Sequence, residues 1–216
     1  MRLAHQQRHV AVLAGGFIAS ALVYAQAIGP YLTFDGEGPF GRFLKLFLLP
    51  ITATAILLIV GSLRSQRPRA ADDSTSEQAI DGILFFVILF LMSVHTLLLA
   101  VLLNISWVGP WTPRIVVVLV GLTTMAIGNL LPRTRPNYAL GIRTARTLSD
   151  RQLWIVTHRV SGYVAVGVGA AIVCGGLLVE GAKVAAAAGV TAMIGAAITI
   201  VCYVKLTTSR RNLPQA

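Results

Sequence analysis

Residues Ile83–Ile105 read ILFFVILFLMSVHTLLLAVLLNI, with no Asp, Glu, Lys or Arg among them. As a helix rising about 1.5 Å per residue, the run reaches about 35 Å, more than the roughly 30 Å of a bilayer's hydrocarbon core. Backbone N–H and C=O groups in lipid must be bonded within their own segment, so the run is predicted to be a transmembrane helix. Its single imidazole, His95, is costly in lipid. It is expected to face the interior of a helix bundle and to pair with a Ser or Thr on a neighbour.

Working outward, the same criterion finds further runs on both sides. Spans are predicted at about Val10–Ile28, Leu44–Leu63, Ile83–Ile105, Arg114–Leu131, Val160–Val179 and Val184–Val204. Composition agrees: 56% of the 216 residues are hydrophobic, 12% are charged and mean hydropathy is +0.76, whereas soluble domains carry about 25% charged residues. The expected fold is therefore an all-α integral membrane protein, a single domain built as a bundle of six transmembrane helices. The net charge of +10 would point to nucleic acid in a soluble protein. Here the basic residues lie between apolar runs, so membrane orientation accounts for them and no direct nucleic-acid binding is expected.

Alternating the loops puts fourteen basic residues on one side and four, Arg42, Lys45, Arg114 and Lys183, on the other. Lys and Arg mark the cytoplasmic side, so both termini are predicted to be cytoplasmic. Arg2, Arg8, the apolar run from Val10 and Ala25-Gln26-Ala27 also resemble a cleavable signal peptide; an uncleaved first span is preferred. Trp107 and Trp111 are expected to anchor an outer turn at the interface. The segment RSQRPRAADDSTSEQAID reads as a mobile linker, and the tail TTSRRNLPQA as solvated. Cys174 and Cys202 lie in antiparallel spans, too far apart for a disulfide. Ala188, Ala192 and Ala196 on the last span, and Gly162, Gly169 and Gly175-Gly176 on the fifth, predict close helix packing.

Between the fourth and fifth spans stands GNLLPRTRPNYALGIRTARTLSDRQLWIVTHR, residues 128–159, with six of the basic residues. Pro132 ends a helix, Pro136 biases Arg135 to an extended conformation, and Asn137 and Gly141 suit turns. Residues Pro132–Thr147 are expected to form an ordered, irregular cytoplasmic loop. Ser149 with Gln152 reads as a capping box, with Asp150 favouring the positive end of the helix that follows. That helix is expected to put Trp154 at the inner interface and His158 and Arg159 near the membrane boundary. Three uses of the arginines stay open: lipid phosphate contact, an internal network involving Asn129, and a binding site for an anionic group. The four histidines are scattered and have no acidic partner at ligand spacing, so no metal site is expected. No nucleophile–base pair or nucleotide loop is visible, so no catalytic residue and no cofactor is assigned.

Gly128-Asn129, Leu131-Pro132, Arg135-Pro136-Asn137-Tyr138, Gly141-Ile142-Arg143-Thr144, Thr147-Leu148-Ser149, Trp154 and Thr157-His158-Arg159 together resemble the signature of the SdpI family of bacterial integral membrane proteins. Ala145-Arg146 stands where that family usually has Pro-Trp, and YLTFDGEGPFGRFLKLFLLP echoes its N-terminal motif only faintly. The resemblance implies a six-span immunity protein of the bacterial cytoplasmic membrane. Such a protein protects its cell from a secreted membrane-active toxin peptide and captures a cytoplasmic repressor at the membrane. It also marks Asn129, Pro132, Arg135, Asn137, Tyr138, Gly141, Arg143, Thr144, Trp154, His158 and Arg159 as candidate binding residues. Two other readings compete. One is a small transporter or lipid-handling protein that binds an anionic headgroup or solute. The other is a membrane enzyme using His158 with Arg143 or Arg159 on a phosphorylated lipid.

Overall fold

The computed structural model describes residues 2–27, 38–65, 74–137, 139–178 and 183–209. Its long helices are α1 (Arg2–Ala27), α2 (Pro39–Ser65), α3 (Ser74–Leu102), α4 (Thr112–Leu130), α6 (Arg151–Leu178) and α7 (Lys183–Ser209), with a short α5 (Ala145–Ser149) before α6. Among the described residues all regular structure is helical, and the six long helices are long and apolar enough to cross a membrane. The helices outrun the predicted spans. Ser74–Asp81, read from sequence as linker, is the first part of α3, and α6 begins well before Val160. The linker's polarity has a local use, because Arg64 at the end of α2 bonds Asp81 at 2.5 Å and approaches Glu77 at 3.8 Å. Residues 66–73 and 210–216, which hold the rest of the linker and tail, lie outside the described residues.

The chain groups into two compact units. The first contains α1, α2 up to Gly61 and α3 from Leu84. One face of α1, running through His9, Leu13, Ser20 and Val23, is buried at helical spacing. Leu46 on α2 and Leu99 on α3 close with Val23 into a core edged by Ala19, Tyr24, Phe47 and Leu102. At the other end of α1 the His9 ring lies 5.9 Å from Phe85, and the Arg8 guanidinium sits 4.7 Å over the same ring. Asn104 adopts φ 54° just past α3. Its N–H bonds Val101 O while Ile105 N–H reaches back to Ala100 O, a paired closure that satisfies the last carbonyls of a helix. Trp107 and Trp111 in the turn that follows are exposed.

The second unit holds the start of α3 with α4, α5, α6 and α7. Its packing is set by glycines seven residues apart on two helices. A Cβ on Gly128 would lie 2.8 Å from Gly162 O, and one on Gly162 would lie 2.6 Å from Gly128 O. Gly121 and Gly169 repeat this reciprocal approach at 2.7 and 2.6 Å. The backbones of α4 and α6 are thus in direct contact, close enough for Cα–H···O=C bonds, the arrangement small residues permit between membrane helices. Gly176 continues the face against Val117 and Val118, while Gly167 and Gly175 have open space beside them. On α7 the expected alanine face is only partly used. Ala188 packs with Val117 and Ile172, but Ala192 and Ala196 are exposed and Gly195 meets Val168 instead. Both cysteines are free thiols.

Candidate functional site

The segment 131–159 is held by buried side chains bonding to backbone. Pro132 has no N–H to continue α4, and the chain tightens into a 3-10 turn, Leu131–Arg133. Thr134 follows, extended and 1% exposed, with its hydroxyl donating to Leu131 O at 2.8 Å. The Trp154 indole N–H reaches Thr134 O at 3.1 Å and its hydroxyl oxygen at 3.3 Å. Arg135 N–H donates to Ser76 Oγ on α3 at 2.9 Å, tying the loop to the start of that helix. Asn137 then folds the chain back on itself. Its Oδ1 accepts from Ala139 N–H (2.9 Å) and Leu140 N–H (2.8 Å), and its Nδ2 donates to Arg135 O (2.8 Å), the turn-forming use of Asn.

Gly141 has φ 106°, a region side chains rarely adopt, and a Cβ there would collide with His158 Nε2. Both features make it a position for glycine alone. The reversal delivers Ile142 N–H to His158 Nε2 at 3.0 Å. Nε2 therefore accepts, Nδ1 carries the proton and the Nδ1–H donates to Trp154 O at 2.9 Å. The ring also stacks on Trp154 with centroids 3.9 Å apart and planes 13° from parallel. His158 is 1% exposed and Trp154 0%. Trp154 is therefore a core residue of the protein: its N–H has a fixed carbonyl partner and needs no headgroup water.

The capping also differs from expectation. Thr144 caps α5, with Thr147 N–H on Thr144 Oγ1 at 3.2 Å and Thr144 N–H on Thr147 Oγ1 at 2.9 Å. Thr147 Oγ1 also donates toward Ile142 O at 2.8 Å, and Thr144 Oγ1 meets the Tyr203 hydroxyl of α7 at 2.8 Å. The end of the predicted loop is thus a short helix. The N-cap of α6 is Asp150, whose Oδ1 accepts from Leu153 N–H at 2.9 Å; Ser149 instead turns its hydroxyl back to Arg146 O. Two adjacent residues suited to capping competed, and the carboxylate holds the positive helix end.

The candidate residues divide by what they touch. Thr144, Asn137, Gly141, Trp154 and His158 are brought together as a clamp on the loop backbone. Pro132 is half-buried, and its ring would meet a Cβ on Gly162 at 2.9 Å. Arg143, Arg159 and Asn129 are exposed, as are Arg133, Arg146 and Arg151; Arg135 is half-buried, its guanidinium 3.5 Å from Thr134 O. Tyr138 lies outside the described residues, and His95 belongs to the first unit. Thr134, Ser76 and Tyr203 complete the clamp and were not singled out from sequence. Tyr203 is a polar group in an otherwise apolar span, while Ser76 and Thr134 lie in polar stretches where nothing in the sequence sets them apart. Trp154→Phe keeps the stack and removes one N–H donor, so it should cost about 1 kcal/mol, read as a small fall in thermal stability in detergent.

Six apolar membrane-length helices make this a multi-pass membrane protein. Over residues 133–206, from the 3-10 turn to the last turns of α7, the chain matches the model of the SdpI/YfhL protein family, the family that the 128–159 motifs resemble. No curated protein and no solved structure matches the chain.

Proposed function

We propose that this chain is an immunity protein of the bacterial cytoplasmic membrane. In this reading it protects its cell from a secreted membrane-active peptide met on the outer side. Its arginine-bearing inner face captures a cytoplasmic repressor. The observation that carries the reading is the SdpI/YfhL match at residues 133–206, which covers every clamp residue from Thr134 to Tyr203 and leaves out Ser76. Most of the clamp's polar side chains are spent on backbone groups, and Arg133, Arg143, Arg146, Arg151 and Arg159 around it are exposed. That division favours a rigid display surface over a catalytic centre. Both nitrogens of His158 are engaged by Ile142 N–H and Trp154 O, so neither is placed for general acid–base work, which requires a nitrogen within reach of substrate.

Protection and capture separate experimentally. Expression in a peptide-sensitive bacterium should raise survival under challenge, with insertion confirmed by a C-terminal reporter that is active in the cytoplasm. The combined change Arg143→Gln, Arg146→Gln should leave survival intact and abolish recruitment of the repressor to membranes. Absence of protection by the correctly inserted wild type would overturn the immunity reading. Loss of survival with retained recruitment would overturn the division of faces.

A further inference from the structure

The first unit contains a buried polar junction with an unusual cause. Pro50 lies inside α2 and cannot donate to the carbonyl four residues back, so Leu46 O loses its helical partner. Ser20 Oγ of α1 stands 2.7 Å from that oxygen and 3.0 Å from Gly16 O. His95 Nε2 of α3 stands 2.8 Å from the same Oγ. Ser20 and Leu46 are 0% exposed and His95 1%. One serine thus joins three helices at the bond that proline removed.

The chemistry of the junction assigns its protons. A hydroxyl has one hydrogen. With two carbonyl oxygens beside it, the Ser20 hydrogen must point to them, or oxygen lone pairs would face each other at hydrogen-bond distance. Nε2 must then supply its own hydrogen to Oγ. The neutral ring is the Nε2–H tautomer, which leaves Nδ1 as a bare lone pair. Nδ1 is buried and has no hydrogen-bond partner. Beside the ring, Gly16 of α1 faces Pro50 of α2 and Met92 of α3, and the buried side chains along the same three helices, Leu13, Val23, Leu46, Ala53, Ile88 and Leu99, are apolar. The ionisable groups nearest along those helices are half-buried Tyr24, one turn beyond Ser20 on α1, His9 and Arg8 about three turns away on the same helix, and exposed Lys45 with half-buried Arg42 on α2. The described residues of this unit include no Asp or Glu; Asp35 and Glu37 lie outside them.

We propose that His95 is a proton-binding site within the membrane, and that proton uptake at Nδ1 opens the three-helix junction at Pro50. The neutral tautomer suits a dry site, since Nε2–H, Ser20 and Leu46 O form a closed relay. A second proton makes an imidazolium that keeps its bond to Ser20 but has a new N–H without an acceptor. No carboxylate among the described residues of the unit faces the charge, so it is stabilised by admitting water, which requires α1, α2 and α3 to part where α2 already lacks a backbone bond. Neutral His95 holds the junction shut and protonated His95 releases it.

The test uses the full chain in lipid nanodiscs. Nitrogen-15 NMR of labelled histidine should show the Nε2–H tautomer for His95 at neutral pH and a second proton on acidification. In a Cys174→Ser, Cys202→Ser background, the Ala53→Cys thiol should react severalfold faster with a water-soluble maleimide over the same pH range. His95→Gln should remove that pH dependence, and Ser20→Ala should raise the reaction rate already at neutral pH. An Nδ1–H tautomer, a titration without change in labelling, or pH-dependent labelling that persists in His95→Gln would each overturn the proposal. The tautomer measurement needs only the wild-type ring, so a variant that failed to fold would not rescue it.

Discussion

Gly128→Ala is expected to destabilise the folded protein by about 3 kcal/mol, the top of the range for overpacking, while Gly167→Ala is neutral or slightly stabilising. The added methyl is the same in both. At Gly128 it would meet Gly162 O at 2.8 Å, the Ala165 Cβ at 2.9 Å and Val166 N at 2.9 Å. Two of these are backbone atoms, so relief requires α4 and α6 to separate along their length and give up the Gly121–Gly169 contact as well. At Gly167 nothing lies within 4 Å, and the only effect is the helix preference of Ala, worth up to about 1 kcal/mol. Gly121→Ala should resemble Gly128→Ala, and Gly175→Ala should resemble Gly167→Ala. Thermal unfolding in one detergent at one lipid ratio would rank the four. Equal stability of Gly128→Ala and Gly167→Ala would refute the glycine contact.

The spans were legible because lipid leaves the chain so few choices: an uncharged run as long as Ile83–Ile105 has to be a helix. The glycine contact was half legible. Gly162 and Gly169 read as a thin face, but their partners Gly121 and Gly128 are identified only once α4 and α6 are known to be antiparallel neighbours. Capping failed for a local reason, since Ser149 and Asp150 are adjacent and both able to cap. Thr144 and Thr147 were noted as signature residues but not as a capping pair, because the expected pattern has Glu or Gln at the fourth position. Trp154 was read by its residue type alone, and its burial against the carbonyl that the extended Thr134 turns inward was not legible. At His95 the need for a hydroxyl partner was readable, while the carbonyl freed by Pro50 passed without notice inside the second apolar run. That Ser20 meets both His95 and Leu46 O depends on helix register, which a single sequence does not state.

His158→Ala is expected to cost about 3–5 kcal/mol, and its combination with Gly141→Ala should cost distinctly less than the two changes added together. The single change at 158 empties a core position, removes the stack on Trp154 and strands Ile142 N–H, and each of these losses has a known scale. Gly141→Ala alone drives a Cβ into Nε2 and also forces a side chain to φ 106°, a backbone state costing about 1–3 kcal/mol. Once the ring is gone the collision is gone, and only the backbone term remains at position 141. The two changes should therefore depart from additivity by about 1–3 kcal/mol, as contacting residues do. Simple additivity would mean the loop does not close on the ring. The same variants bear on role: if His158 acted only by chemistry on a substrate, His158→Ala would lose protection while unfolding at the wild-type temperature. If the chain protects its cell as proposed, stability and protection should fall together, because the ring that would do chemistry is the post to which the loop is tied.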